Sequence, residues 1–327
     1  MKNARRIIAL VMASVLMLCL FAGCSKGNET KKYKVGICQL VQHDALDAAT
    51  KGFQDALVEK LGAENVEFDL QNAAGESATC ATIVNQFVSA GDVDLIMANA
   101  TPALQAAMTA TATIPIVATS ITDFATALDI KDWTGKTGIN VTGTADLAPL
   151  ADQAAMIKEL CPDAKTVGIL YCSAEPNSKY QATVIAAELQ KLGLTSKDFT
   201  VADTNEIASV TTKACDEVDV LYIPTDNTIA SATAAVNSVT ADKKIPVVAG
   251  EEGICKGCGI ATLSISYYSI GQKAGEMAAD ILQGKADPAT MDIAYASDLT
   301  KLYVADRCKD LGITVPDSYE AIDMTAE

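Results

Sequence analysis

Between Val93 and Val117 the chain reads VDLIMANATPALQAAMTATATIPIV. Val93 to Ala98 is too continuously apolar to keep one face in water, so it predicts a short strand buried on both faces, as in a parallel sheet. Asn99 to Pro102 ends that run. Thr101 suits a helix N-cap, and Pro102 suits the first turn, where a missing N–H costs nothing. An alanine-rich helix follows, and Ile114-Pro115-Ile116-Val117 begins the next strand. The unit is β-α-β. Its polar turn stands at the carboxyl end of the strand, where the helix opening presents free N–H groups and a positive dipole end.

The unit recurs. Val218 to Ile223 is a strand, Pro224-Thr225-Asp226-Asn227 a polar turn, Thr228 to Val239 a helix, and Ile245-Pro246-Val247-Val248 answers Ile114 to Val117. Val35-Gly36-Ile37 precedes the first copy and Val167-Gly168-Ile169 the second. Two copies of one order predict two similar α/β lobes, each built on a parallel sheet. The stretch Lys34 to Leu40, the apolar stripe Leu46, Ala49, Phe53, Ala56, Leu57 and Leu61, and the strand Val66 to Gln71 extend the first lobe. Phe199 to Asp203 is the expected second strand of the other.

Five polar turns follow these strands: Val41 to Asp44, Asn99 to Pro102, Ser120 to Asp123, Ser173 to Ser178 and Pro224 to Asn227. In open parallel sheets ligands bind outside the carboxyl ends of the strands, so two facing lobes would line one cleft with these side chains. The candidates are Gln39 and His43, Thr101, Ser120 and Asp123, Ser173, Glu175, Asn177 and Ser178, Asp226 and Asn227. Glu251 and Tyr267 join them where the chain is expected to cross back. The expected division is residues 34–142 plus 252–290 for one lobe and 143–251 plus 291–327 for the other. Hinge crossings fall near Thr142 to Ala145 and Gly250 to Gly253, where glycines at 143, 250 and 253 ease backbone change.

Lys2, Arg5 and Arg6 precede an apolar run, Ile7 to Leu20, and then Leu20-Phe21-Ala22-Gly23-Cys24. This is a secretory leader over residues 1–23 ending in small residues and a cysteine. It resembles the bacterial lipobox, which implies cleavage before Cys24, lipid on its thiol and a polar tether over residues 24–33. Losing three basic residues takes the formal charge from −16 to −19. So acidic a chain argues against nucleic acid as a partner. Among the ten cysteines, Cys255 and Cys258 have CxxC spacing. One such pair without clustered histidines is weak for zinc, and a surface disulfide or two free thiols is expected instead. His43 is the single histidine, and the chain carries no GxSxG, GxxxxGK[ST] or GxGxxG motif. No catalytic group and no cofactor are expected.

The segments VGICQLVQHDALDAATKGF (35–53), VDLIMANATPALQAA (93–107), IPIVATSITD (114–123), NVTGTADLAPL (140–150), VGILYCSAEPNS (167–178), VDVLYIPTDNTIASA (218–232) and IPVVAGEEG (245–253) together resemble the substrate-binding lipoproteins of ABC importers, in the tryptophan/tyrosine group. The resemblance implies the type I periplasmic-binding fold, with two Rossmann-like lobes, a multi-strand hinge and a small solute in the cleft. It implies a monomer anchored outside the membrane by lipid, with an ABC permease as partner. Ala249 to Gly253 departs from the family pattern of a serine and an acidic pair. A zwitterionic ligand needs donors for its carboxylate, for which Thr101, Ser120, Ser173 and Ser178 are candidates. It needs carboxylates for its amine, for which Asp226, Glu251 and Asp123 are candidates. Tyr171 and Tyr267 are the candidates for an aromatic wall. A ligand-sensing receptor ectodomain and an enzyme on the same fold are the alternative functions.

Overall fold

The computed structural model describes residues 32–296 and 299–325. The leader and Cys24 lie outside the described residues. The first sheet holds β1 (Tyr33–Gln39), β2 (Val66–Asn72), β3 (Leu95–Asn99), β4 (Ile116–Ile121) and β5 (Val141–Ala145) in the order β2-β1-β3-β4-β5, all parallel. The second repeats that order with β6 (Thr166–Cys172), β7 (Thr195–Val201), β8 (Val220–Ile223), β9 (Val247–Ala249) and β10 (Ala261–Ser264), as β7-β6-β8-β9-β10. The sequence repeat is thus a topological one. In each lobe the order reverses beside the first strand, the switch point at which doubly wound sheets bind ligands.

The central strands form because nothing in them needs water. Every residue of β3, β4, β5 and β8 is buried. Helices cover both faces. In the first lobe these are α1 (Asp44–Leu61), α2 (Ser77–Ala90), α3 (Thr101–Ala110) and the single turn α4 (Phe124–Ala127). In the second they are α5 (Leu150–Leu160), α6 (Pro176–Lys191), α7 (Ile207–Cys215), α8 (Asn227–Ala230), α9 (Thr233–Lys243) and α10 (Glu252–Cys258).

Two expectations about lobe membership need correcting. Residues 252–290 were assigned to the first lobe, but α10 packs on α9, β9 and β10, and β10 pairs with β9 in the second sheet. The chain returns only after β10, as α11 (Tyr267–Leu282), which lies against α1. Gly52 and Gly271 let those two helices touch backbone to backbone, because a Cβ on either would strike a carbonyl of the other helix. Residues 291–296 belong to the first lobe, since β11 (Ala294–Tyr295) pairs with β5. The last crossing leads to β12 (Thr300–Tyr303), antiparallel to β10, then α12 (Ala305–Asp310) and β13 (Glu320–Ala321). Each lobe therefore surrenders its last helix to the other: α5 follows β5 but packs on β9, β10 and α6, and α11 follows β10 but packs on β4 and β5.

Smaller differences have local causes. β7 starts at Thr195 rather than Phe199 because it is an edge strand with a mostly exposed, polar first half. Ala100, not Thr101, is the N-cap of α3, at φ 91°, and Thr101 is the first helical residue. Cys255 and Cys258 are free thiols, buried on α10 rather than at the surface. Among the described residues no helix is long and apolar enough to cross a membrane and no group of side chains could hold a metal ion.

Candidate functional site

The carboxyl ends of both sheets face each other across a closed cleft. From the first lobe it is lined by His43, the N-cap of α1, and Leu46 in its first turn, Ser120 and Thr122 at the end of β4, and Asp146 after β5. The second lobe supplies Asn177 of α6, Thr225 to Asn227 after β8, Ala230, and Glu251 after β9; Tyr267 completes the lining at the start of α11. Among the described residues, two side-chain hydrogen bonds cross the cleft between the lobes. His43 Nε2 donates to Asn227 Oδ1 at 3.2 Å, and Gln181 Nε2 donates to Thr122 Oγ1 at 3.2 Å. The remaining space has room for about one water molecule.

Ser120 reaches the cleft through a defect in β4. The register of β4 against β5 shifts between Ala118 and Ile121, and Ser120 takes φ 58°. Bulges of this kind re-aim a side chain beside a site, and a non-glycine residue in the left-handed region stores strain there. Gly143 lies opposite with φ 150°, and a Cβ on it would run into the Ala118 carbonyl, so the bulge requires glycine at that position.

Three carboxylates line the cavity, and no lysine or arginine does. Asp226 caps α8. Its Oδ1 accepts from Ile229 N at 2.9 Å and its Oδ2 from Cys172 N at 2.6 Å. Burial, then the nearby Glu175 carboxylate, hold its pKa well above the usual carboxylate range. Glu251 caps α10 by accepting from the backbone N–H groups of Gly253 and Ile254, and burial pushes it up to about 7. Asp146 accepts from Tyr267 OH at 2.9 Å through Oδ2. Burial pushes it up to about 6, against the opposing pull of the Tyr267 and Thr122 hydroxyls. Burial lowers the pKa of His43, which favours the neutral ring.

Three buried polar atoms of the lining have no hydrogen-bond partner: Ser120 Oγ, Asp146 Oδ1 and Asn177 Oδ1. Leaving a buried polar atom unpaired costs about 1–3 kcal/mol, so three in one cavity mark a surface shaped for something else to bind.

Of the candidates read from sequence, His43, Ser120, Asn177, Asp226, Asn227, Glu251 and Tyr267 line this cavity. Six lie outside it. Gln39 is a scaffold residue: Nε2 donates to Asp47 Oδ1 at 2.6 Å and Oε1 accepts from Thr50 at 2.7 Å, pinning α1 to β1. Thr101 is buried at the start of α3. Asp123 caps α4 by accepting from Thr126 N. Ser173 is exposed and donates to Val201 O. Glu175 accepts from the backbone and side chains of both Asn227 and Thr228, which fixes the β8–α8 turn from behind. Ser178 is buried and backs Asp226. Tyr171, a candidate wall, instead donates to Asp198 at 3.2 Å. Thr122 and Thr225 lie in two of the five polar turns expected at the cleft without being singled out there, and sequence reading missed Asp146. Asp146 follows β5, next to the expected hinge crossing at Thr142 to Ala145 and outside the five polar turns, although it too stands at a strand's carboxyl end.

Residues 34–324 match the family model of the ABC transporter substrate-binding proteins. The chain belongs to this family. A tyrosine-binding protein of Clostridioides difficile is 36% identical over 300 residues, covering 88% of this chain and 86% of that protein. An ABC domain from Streptococcus pneumonia, solved in complex with L-Trp, is 36% identical at a TM-score of 0.85, covering 89% of this chain and 99% of that one. The ligand-free, open structure of a substrate-binding protein with adhesive properties from Clostridium difficile is 35% identical with the same coverage, at a TM-score of 0.67. Identities one point apart do not account for that fall. As a whole, this family member superposes better on the Trp complex than on the open form.

Proposed function

We propose that this substrate-binding protein captures a single amino acid, tyrosine or tryptophan first among them, in the cleft between its lobes. The closed form then presents the solute to an ABC permease, without catalysis. The observation that carries this is the cavity lining itself: three carboxylates with no cationic side chain, beside three unpartnered polar atoms, at the switch points of two doubly wound sheets. An ammonium group complements the carboxylates. The ligands named for the Clostridioides and Streptococcus relatives, tyrosine and tryptophan, support the same class. The leader and Cys24 support export and lipid anchoring, and membrane retention of Cys24→Ala at the wild-type level would count against the anchor.

The test is a thermal-shift screen of the mature domain against the amino acids, followed by titration calorimetry. A ligand at about 100 times its dissociation constant adds roughly 2.7 kcal/mol of stability. A screen in which no amino acid raises the melting temperature would overturn the proposal.

A further inference from the structure

The three carboxylates of the cavity are not equivalent. Asp226 and Glu251 each take two backbone N–H donors from their own lobe, and both are helix caps. Asp146 spends one oxygen on Tyr267 OH and leaves Oδ1 without a partner, although the residue is 5% exposed. Its position is also distinct. Asp146 stands on the crossing that follows β5, and Tyr267 on the equivalent crossing that follows β10. Their hydrogen bond ties two hinge segments 121 residues apart in sequence. Beside its three carboxylates, the cavity lining offers the hydroxyls of Ser120, Thr122 and Thr225 and the amides of Asn177 and Asn227, and no lysine or arginine. A ligand carboxylate entering here finds dipoles but no cation. A ligand ammonium finds an unpaired anion in a dry site, where the Coulomb attraction is far stronger than in water.

We infer that the site selects its ligand by the ammonium, received at Asp146 Oδ1 with Tyr267 as the residue that positions it, and therefore that it also accepts primary arylalkylamines with no carboxylate. This rests on the amino-acid reading above and deepens it. The carboxylate of an amino acid is tolerated by the hydroxyls and amides but is not what holds the ligand. Removing the ammonium leaves three buried carboxylates facing an anion.

The experiment is titration calorimetry near neutral pH with two matched sets: tyrosine, tyramine and 3-(4-hydroxyphenyl)propionate, and tryptophan, tryptamine and 3-indolepropionate. If another amino acid binds instead, its own amine and deaminated acid form the set. The amine is expected within about tenfold of the amino acid, and the acid weaker by roughly thirtyfold to several thousandfold, the range for stripping one partner from a desolvated charge pair. An acid that binds as well as the amine overturns the inference, and so does an amino acid that binds while neither analogue does. Asp146→Asn, of the same shape, should weaken amino acid and amine alike by about thirtyfold or more without lowering the melting temperature. Tyr267→Phe should weaken both by less. Asp146→Asn binding within threefold of wild type overturns the assignment even if the ligand sets behave as expected. If no amino acid binds at all, the reading of the site falls, and the inference with it. That result is distinct from binding with the wrong selectivity.

Discussion

Asp226 looks from sequence like the natural partner of a ligand amine, because Pro224-Thr225-Asp226-Asn227 follows a buried strand. Its two backbone donors show a carboxylate that is first of all a helix cap. The polar residues of the lining carry their own pH signature. Asp146, Glu251 and Asp226 all have folded-state pKa values above their ordinary ones, so the folded chain binds protons that the unfolded chain releases. Their stability contribution is full below the unfolded values and is lost as pH rises through the folded ones. His43 is shifted downward and acts in the opposite sense, but only below its ordinary value of 6.5. Melting of the ligand-free domain should therefore fall between about pH 7 and about pH 8.5, with a shallower slope in Glu251→Gln. Stability that is flat or rises over that window would contradict the shifts. A bound amine should flatten the slope too, because it compensates the ionised carboxylates.

At the level of elements, the site depends on faults in otherwise regular strands. The β4 bulge brings Ser120 into the cleft, and Gly143 of β5 makes room for it. Gly143→Ala places a Cβ against the Ala118 carbonyl and demands φ 150° of a non-glycine residue. It should cost at least about 2 kcal/mol in urea unfolding, since a strained backbone and an overpacked contact each carry about 1–3 kcal/mol. Ligand affinity should fall with it as Ser120 shifts. A variant of wild-type stability would show that β5 can move away from β4, and the bulge would then not need glycine. Glycine at 143 was read from sequence as hinge freedom, and the structure gives it the additional role of close approach.

At the level of the molecule, the lobes stand together with room in the cleft for about one water molecule, so an amino acid enters only when they part. The two side-chain hydrogen bonds across the cleft, His43 to Asn227 and Gln181 to Thr122, are worth about 0.5–1.5 kcal/mol each. Such bonds hold the closed form only weakly, and differential binding of the ligand shifts the lobes further toward it. Saturating ligand should thus reduce the radius of gyration in solution scattering. An unchanged radius with a ligand proven to bind would argue against hinge closure.

The repeated β-α-β unit was legible in the sequence because its causes are local. A strand buried on both faces must be apolar throughout, and a proline or a polar cluster must end it, so VDLIMA and VDVLYI announce themselves. The turns that carry His43, Ser120, Asn177 and Asp226 followed from the same rule, since the carboxyl ends of parallel strands face the cleft. The lobe exchange of α5 and α11 was expected from the sequence, but tertiary structure alone decided that the chain crosses back after β10 rather than before α10, because β10 pairs with β9 in the second sheet and α10 packs beside them. It alone separated Asp146, with one oxygen unpaired, from Asp226 and Glu251, whose oxygens are taken. A carboxylate's role depends on which donors reach it, and for Asp146 the donor is Tyr267, brought in from 121 residues away by the packing of two sheets.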